Sequence, residues 1–185
     1  MDIYFITSNK GKLEEVRAIT GMDIRSKSIE IEEIQDVSVE NVVKDKAVKA
    51  YSKIHKPVIV EDTGLYIKAL NGFPGALVKW LVGAIGPKGI CRIIGKYNNR
   101  SAYAETRIAF YDGKTLKTFS GRIYGRISGS PIGANGFGWD PIFIPSGQRK
   151  TFAQMGASEK NEISHRRKAA LKLKEFLYYT VNHTE

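Results

Sequence analysis

Three short runs of apolar residues constrain the fold of this chain more than any other feature of its sequence. They occupy residues 3–6, 58–60 and 142–144 and contain only isoleucine, valine, phenylalanine and tyrosine. Continuous runs of this length are typical of strands buried on both faces, as in a sheet covered by helices. Two helix-like stretches, residues 12–20 and 38–54, lie between the first and second runs. The pattern therefore predicts an α/β fold.

The remaining elements predict a mixed central sheet flanked by helices. Residues 29–34 alternate between apolar and polar and indicate another strand, while residues 102–111 and 116–127 flank the turn signal Asp112-Gly113 and indicate an antiparallel hairpin. We expect a single domain, residues 1–185, with two lobes and a cleft between them. A basic helix is predicted over residues 164–179, with a core face formed by Ala169, Ala170, Leu173, Phe176 and Leu177.

Composition limits the class of protein but does not identify its partner. The 185 residues include a single cysteine, Cys91, and the apolar runs are too short to span a bilayer. We expect a cytoplasmic protein without a membrane segment or signal peptide. The net charge of +10 suits an anionic partner, which can be nucleic acid, a membrane surface or a phosphorylated ligand. A solvated basic surface without a specific partner accounts for the charge equally well.

A polar, glycine-containing turn follows the first apolar run and precedes a helix. Small residues at such a turn leave backbone N–H groups free, and the helix N-terminus adds a positive dipole end, so that phosphate fits there. Ordinary helix capping is the competing interpretation. The turn consists of Thr7, Ser8, Asn9, Lys10, Gly11 and Lys12.

The second apolar run ends in Glu61-Asp62-Thr63-Gly64, where an acidic pair leaves a buried strand. Ligands of open α/β sheets bind beyond the carboxyl ends of strands, and magnesium takes one or two carboxylates together with water and phosphate oxygens. Successive strand side chains point to opposite faces, so only one of the two carboxylates is expected to face a ligand directly. A turn or helix cap explains the same residues without a ligand.

A lysine interrupts the apolar face of the helix predicted at residues 38–54. Lys46 lies between Val42 and Val43 on the helical wheel. An ammonium group there must pair with an anion or extend its tip to solvent. Both a phosphate contact and a solvated lysine are compatible with this position.

A glycine-rich loop precedes the third apolar run and carries two aromatic side chains. It contains Phe137, Gly138, Trp139 and Asp140. Glycine permits close backbone approach, and stacking of a base on an aromatic ring contributes about 1–3 kcal/mol in single-strand binders. Burial in the core is the more common fate of such rings.

Basic residues crowd the predicted start of the last helix. If Ser164 is the N-cap, then His165 and Arg166 occupy the first turn, where the helix dipole disfavours cations unless something negative binds. If the helix begins at Ser158 instead, this argument does not apply.

Together these segments resemble the inosine triphosphate pyrophosphatase family, whose members hydrolyse non-standard purine nucleoside triphosphates. The matching segments run in the family's order from residue 7 to residue 166: TSNKGK at 7–12, VEDTG at 60–64 with NGFPG at 71–75, FGWDP at 137–141 and EKNEISHR at 159–166. Each motif alone is weak evidence for a family, but four motifs in the same order are specific to this one. Ser8 departs from the glycine that is frequent in the family.

The resemblance implies a role for each matching residue. Residues 7–12 and Lys46 correspond to triphosphate contacts, and Asp62 to the metal-linked carboxylate that accepts a proton from the attacking water. Thr63 corresponds to a further substrate contact, and Glu33 to a second magnesium ligand, with Glu32 as its rival and Glu61 as a supporting residue. The base-stacking loop corresponds to Phe137, Gly138 and Trp139, with Asp140 as its acidic partner. The C-terminal substrate contacts correspond to Lys160, His165 and Arg166.

The implied reaction cleaves ITP, dITP or XTP between the α and β phosphates, giving a monophosphate and pyrophosphate. It requires Mg²⁺, with Lys12 and Lys46, and Lys160 as a further candidate, stabilising the pyrophosphate charge. The resemblance also implies a homodimer. Two alternatives compete: a pyrophosphatase for modified pyrimidine nucleotides, and a basic nucleic-acid-binding protein, although no stable nucleic-acid complex is expected from the family.

Overall fold

The computed structural model describes residues 2–182 as a mixed sheet with helices on both faces. The sheet order is β2-β1-β3-β5-β6-β7, with β4 beside β3; β1 is parallel to β2 and β3, and the pairs from β3 onward are antiparallel. The strands are β1 Tyr4–Ile6, β2 Arg25–Lys27, β3 Val58–Ile67, β4 Pro74–Gly75, β5 Ser101–Tyr111, β6 Leu116–Ile127 and β7 Phe143–Pro145. The α-helices are α1 Lys10–Thr20, α2 Val39–Ile54, α3 Val78–Ile94, α4 Ala157–Ile163 and α5 His165–Asn182.

The predicted α/β fold and mixed sheet are confirmed. The apolar runs lie in β1, β3 and β7, where Phe5, Ile59 and Phe143 are fully buried. Helix α1 ends where Gly21 adopts a left-handed conformation, and α2 begins after Ser38, whose side chain accepts a hydrogen bond from the backbone N–H of Asn41. The hairpin predicted around Asp112-Gly113 is formed by β5 and β6.

The strand predicted at residues 29–34 is wrong. The strand of this region is β2, which lies earlier, and residues 28–37 form an irregular segment that we call the strap. Ile29 and Ile31 pack against the apolar cluster beneath α2, so the alternation reflects burial against a helix rather than strand pairing. Lysine side chains of α2 donate hydrogen bonds to backbone carbonyl groups of the strap. These bonds take the place of the hydrogen bonds that a neighbouring strand would supply.

Helix α3 is an element that the sequence analysis did not predict. Gly86, with φ of 66° and ψ of 169°, interrupts it, and Pro87 begins its second half. Proline is well tolerated at the first position of a helix, so the kink divides α3 into two regular pieces. Its first turn, next to β4, forms one wall of the cleft described below.

Three apolar clusters organise the molecule into two halves. Two clusters lie on opposite faces of one half of the sheet, one beneath α1 and α5 and the other beneath α2. The third cluster joins α3 to the other half of the long strands and contains Trp139 and Phe152. A cleft opens between these halves, in agreement with the two-lobed arrangement expected from the sequence. No helix within residues 2–182 is long and apolar enough to cross a membrane.

A glycine in β6 allows α5 to begin directly against the sheet. A Cβ atom added to Gly121 would lie 2.0 Å from the carbonyl oxygen of His165 and 2.6 Å from the backbone nitrogen of Ala169. Both are main-chain atoms, so neither can move aside without displacing the helix. Gly121 thereby fixes the depth at which His165 and Arg166 enter the cleft.

Candidate active site

The cleft gathers most of the residues that the sequence predicted for the site. Its volume is about 430 Å³, within the range of small-molecule sites. Lys10 and Gly11 are not among its lining residues, whereas the other predicted positions are. Those are Thr7, Ser8, Asn9, Lys12, Glu33, Lys46, Asp62, Thr63, Phe137, Gly138, Trp139, Asp140, Lys160, His165 and Arg166.

The turn after β1 is held by its own side chains. The hydroxyl oxygen of Thr7 accepts a hydrogen bond from the backbone N–H of Asn9 at 3.0 Å, and the side chain of Asn9 accepts one from the N–H of Lys12 at 3.1 Å. Lys10 is exposed on the first turn of α1. Gly11 contributes by its small size, since a Cβ atom there would lie 3.1 Å from a ring carbon of Phe137. The turn is therefore rigid before any ligand binds.

The two carboxylates of the acidic pair have opposite environments. Glu61 is buried and accepts hydrogen bonds from Arg166 at 2.7 and 3.0 Å and from the Thr63 hydroxyl at 2.9 Å, with the Lys12 ammonium at 3.1 Å. Burial would raise the pKa of Glu61, but the charges of Arg166 and Lys12 hold that pKa far below its ordinary value. Glu61 is therefore ionised and already paired.

Asp62 has no comparable set of partners. Its carboxylate lies 3.8 Å from the Lys12 ammonium, and 17% of its side chain remains exposed. Burial raises the pKa of Asp62, and the charges of Lys12 and Lys46 offset only part of this rise. Asp62 is thus the member of the pair that can meet water or an incoming ligand and can take up a proton.

Glu33 and Lys46 form an ion pair across the cleft wall, between the strap and α2. Burial would raise the pKa of Glu33, but its hydrogen bond and charge interaction with Lys46 lower it. Lys46 therefore pairs with an anion, one of the two possibilities that its place on an apolar helix face left open. Glu33, rather than Glu32, lines the cleft. We call the group Lys12, Glu33, Lys46 and Asp62 the lysine end of the cleft.

The residues of the lysine end suit a hard divalent cation that brings ligands of its own. Within residues 2–182, no three histidine, cysteine, aspartate or glutamate side chains lie close enough to hold a metal ion by themselves. Magnesium usually takes one or two carboxylates and completes its shell with water and phosphate oxygens. Asp62 and Glu33 fit that pattern, whereas a structural zinc site does not fit.

The loop at residues 137–140 presents one exposed ring and one buried ring. Phe137 retains 37% of its surface, whereas Trp139 retains 8% and packs against Phe143 and His165, each with ring centroids 5.5 Å apart. Asp140 fixes the loop by accepting hydrogen bonds from the Phe137 N–H at 2.8 Å and from Lys160 at 2.7 Å. Phe137 is therefore the ring with more surface available to a planar ligand.

A buried ion network supports this loop from below. Arg166 makes four hydrogen bonds, to both oxygens of Glu61, to Thr63 and to Glu15. Lys160 bonds Glu15 at 2.9 Å as well as Asp140. Arg166, which the dipole at the start of α5 disfavours, is thus neutralised by carboxylates of the protein itself. We call the loop 137–140 with Glu15, Glu61, Lys160, His165 and Arg166 the aromatic end.

His165 differs from the other members of the aromatic end because it is buried and uncharged. Burial, reinforced by the nearby charges of Arg166 and Lys160, lowers the pKa of His165 well below its ordinary value. Its Nδ1 atom has no hydrogen-bond partner in the structure. His165 is therefore a neutral, buried polar group in the wall of the cleft at neutral pH.

Sequence reasoning missed two contributions to the cleft. Glu15 follows Lys12 by three positions and so lies on the same face of α1, a spacing that was available as a signal. The start of α3 adds Lys79 and Trp80, the latter 62% exposed. No residue pattern indicated their role, because they reach the cleft only through the packing of an unpredicted helix.

Comparison with known proteins relates the chain to one family over nearly its whole length. The model of the Ham1 family matches residues 3–176. The dITP/XTP pyrophosphatase of Pyrococcus horikoshii is 44% identical over 181 residues, covering 96% of this chain and 97% of that protein. The inosine triphosphate pyrophosphatase of Schizosaccharomyces pombe is 40% identical over 179 residues, covering 95% and 94%.

Solved structures give the same relationship. The Ham1 protein of Staphylococcus aureus superposes with a TM-score of 0.84 at 29% identity, covering 96% of this chain and 99% of that one. A HAM1 protein from Coxiella burnetii gives a TM-score of 0.85 at 27% identity, covering 95% and 98%.

Proposed function

The chain belongs to the Ham1 family, and from this premise we propose that it is a hydrolase that converts dITP, XTP and ITP to the monophosphate and pyrophosphate. The observation that carries the proposal is the unlike pair Glu61 and Asp62 on adjacent positions of β3. The carboxylate of Glu61 is fully paired within the protein, whereas the carboxylate of Asp62 remains available for the reaction.

Asp62 is assigned as the proton acceptor for the attacking water. A general base must lie within reach of the water and be able to accept a proton, and the partial exposure and raised pKa of Asp62 meet both requirements. Glu61 does not compete for this role because Arg166 and Lys12 keep it ionised and occupied. Its role is to position those two cations.

The lysine end is assigned to the triphosphate. Lys12 and Lys46 carry positive charge into the cleft, and both now face carboxylates that a bound Mg²⁺ would engage. Asp62 and Glu33 would hold the Mg²⁺, which supplies neutralisation of charge on the phosphates when it is bound. The two lysines would then be free to stabilise the pyrophosphate as it leaves.

The aromatic end is assigned to the base. Phe137 offers a ring for stacking, whereas Lys160 is neutralised by Glu15 and Asp140 and is better placed to support that ring than to bind pyrophosphate. Because Arg166 makes four internal hydrogen bonds, we assign contact with the 6-carbonyl of hypoxanthine or xanthine to the remaining N–H groups of the loop and to His165. Adenine presents an amino donor at that position, and a donor left unpaired can discriminate by up to about 10⁴-fold.

A nucleotide panel tests the function. Pyrophosphate release from dITP and XTP in the presence of Mg²⁺ should exceed release from dATP and dGTP by at least about 100-fold. Chelation of Mg²⁺ should abolish pyrophosphate release. Equal rates on the standard nucleotides would refute the specificity, and faster release from modified pyrimidine triphosphates would favour the alternative substrate class.

Two further assignments complete the proposal. The homodimer implied by the family resemblance predicts twice the chain mass, about 41 kDa, in sedimentation equilibrium. A cytoplasmic location is proposed because an enzyme of the nucleotide pool acts where that pool is used. Salt-dependent nucleic-acid binding that persists in Asp62→Asn would instead support the nucleic-acid-binding alternative.

A further inference from the structure

Three lysines of α2 hold the strap in place. Lys46, Lys49 and Lys53 are spaced three and four residues apart, so they lie along one face of the helix. Lys46 pairs with the Glu33 carboxylate, Lys49 donates to the backbone carbonyl of Glu32 at 2.9 Å, and Lys53 donates to the carbonyl of Glu30 at 2.5 Å. The row of ammonium groups therefore follows the strap toward the cleft.

Outside these contacts the strap has few internal restraints. It contains neither helix nor strand. Ile29 and Ile31 anchor its first part in the cluster beneath α2, and Asp36 anchors its last part by accepting from the Ser38 N–H at 2.7 Å and from Asn41 at 2.8 Å. The side chain of Glu33, which lies between these anchors, is 40% exposed. Apart from a hydrogen bond from the Gln35 side chain to the Glu33 carbonyl at 3.2 Å, the contacts given above that hold this part of the strap come from the lysines.

We propose that Lys49 is a positioning residue for Glu33, a role that rests on the proposed function. In the nucleotide complex the Lys46–Glu33 pair must separate, because Lys46 is needed at the phosphates and Glu33 at the magnesium ion. The bond from Lys49 to the Glu32 carbonyl uses no group that the ligand needs. It therefore persists and holds the peptide next to Glu33 when the other restraint is lost.

A purely structural role for Lys49 makes a different prediction. Lys49 also pairs with Asp45 at 2.8 Å within α2, and its side chain is 36% exposed. The strap carbonyl can be hydrated when Lys49 is removed, so the melting temperature should change little. A positioning role changes the magnesium requirement instead.

The experiment compares Lys49→Met with the matched control Lys44→Met. Lys44 forms the equivalent i,i+4 pair with Glu40 at 2.7 Å, on the same helix but without contact to the strap. At saturating dITP, Lys49→Met should raise the Mg²⁺ concentration for half-maximal pyrophosphate release by about tenfold, as for other outer partners of metal ligands. The KM for dITP at saturating Mg²⁺ should stay within about twofold of wild type, and Lys49→Arg should restore the magnesium requirement.

A second measurement is independent of activity. Backbone amide exchange of residues 30–34 in the nucleotide-free protein should be faster in Lys49→Met than in wild type and Lys44→Met. If Lys49→Met matches Lys44→Met in magnesium requirement while Glu33→Gln raises it, the role of Lys49 is overturned and the proposed function stands. If the wild type releases no pyrophosphate, the proposed function is refuted. If Glu33→Gln leaves the magnesium requirement unchanged, the assignment of Glu33 as a magnesium ligand is refuted, and with it the role of Lys49.

Discussion

The two ends of the cleft differ in how much of their chemistry is complete before a ligand binds. In the aromatic end, Glu61, Lys160 and Arg166 have side chains no more than 5% exposed and bond one another or Glu15 and Asp140. In the lysine end, side-chain exposure runs from 15% at Lys46 to 40% at Glu33, and Asp62 has only the Lys12 ammonium at 3.8 Å as an ion-pair partner. The comparison teaches that, under the proposed assignment, the base would meet a preformed surface, whereas the phosphates would meet charges that exchange partners.

The largest effect is expected where the lysine end meets the reacting water. Asp62→Asn removes the proton acceptor and a magnesium ligand and should reduce kcat for dITP by about 10²–10⁴-fold. The fold should be retained, since Asn has nearly the same shape and Asp62 is not part of the buried network. Pyrophosphate release measures the first effect and circular dichroism the second. Activity within a few-fold of wild type would exclude Asp62 as the general base.

Neutralising the buried carboxylate of the aromatic end should affect stability instead. Glu61→Gln breaks the buried pair with Arg166 and leaves Glu15 as the remaining charge partner of Arg166. Breaking a buried pair costs about 3–5 kcal/mol. The control Glu40→Gln removes a partly exposed carboxylate that pairs with Lys44 and Arg107, and it should cost no more than about 1 kcal/mol. Denaturant unfolding measures both. Equal costs for the two variants would show that the aromatic end is no more completely paired than the surface.

A variant that shifts the whole aromatic end should change substrate binding more than the rate of the chemical step. Gly121→Ala places a methyl group against the main chain of α5 and should destabilise the protein by about 1–3 kcal/mol. Because His165 and Arg166 move while Asp62 does not, KM for dITP should rise more than kcat falls. Gly129→Ala is the control, since the atom nearest to its added Cβ lies 4.0 Å away. A fall in kcat alone would contradict a separate base-binding end.

The smallest expected effect is in the pH dependence of stability. The pKa of Glu61 is lowered on folding, so its stabilising contribution is present above the ordinary value of 4.5 and is lost as the pH falls below it. The pKa of Asp62 is raised, so its burial costs stability at neutral pH and the cost is relieved on acidification. Relative to wild type, Glu61→Gln should therefore reduce the loss of stability on acidification, and Asp62→Asn should increase it. Denaturant midpoints between about pH 3 and 7 measure the slope of stability against pH. If both variants changed that slope in the same direction relative to wild type, the unlike environments would be contradicted.

Local sequence patterns predicted the apolar strands, the β5–β6 hairpin and helices α1, α2 and α5 because local rules govern them, whereas the family motifs indicated most of the cleft residues. Apolar runs identify buried strands, and Ser38, Gly21 and Asp112-Gly113 mark helix ends and a turn by their own backbone preferences. The prediction of a strand at residues 29–34 was wrong because alternation of apolar and polar residues shows only that one side of the segment is buried. Whether Ile29 and Ile31 are buried by a neighbouring strand or by a helix is decided by tertiary packing.

The partners of the charged residues could not be predicted in the same way. Motif resemblance indicated that Arg166 and Lys160 matter, but not that Glu15 neutralises both of them. That contact joins residues 151 positions apart for Arg166, and no local preference encodes such a distance. The division of Glu61 and Asp62 was predicted in outline from strand alternation, whereas its cause, the buried Arg166, required the structure.

The long sequence separation in the ion network also has a consequence for biosynthesis. Glu15 and Glu61 emerge early from the ribosome, whereas Arg166, to which both bond, is separated from them by 151 and 105 positions. Until Arg166 has been synthesised, neither carboxylate has the guanidinium that neutralises it in the folded protein, so its burial beneath α5 is unfavourable. Completion of the cleft is thus coupled to the synthesis of the last helix, and a chain that stops before α5 would lack Arg166, the cation to which both Glu15 and Glu61 bond in the folded protein.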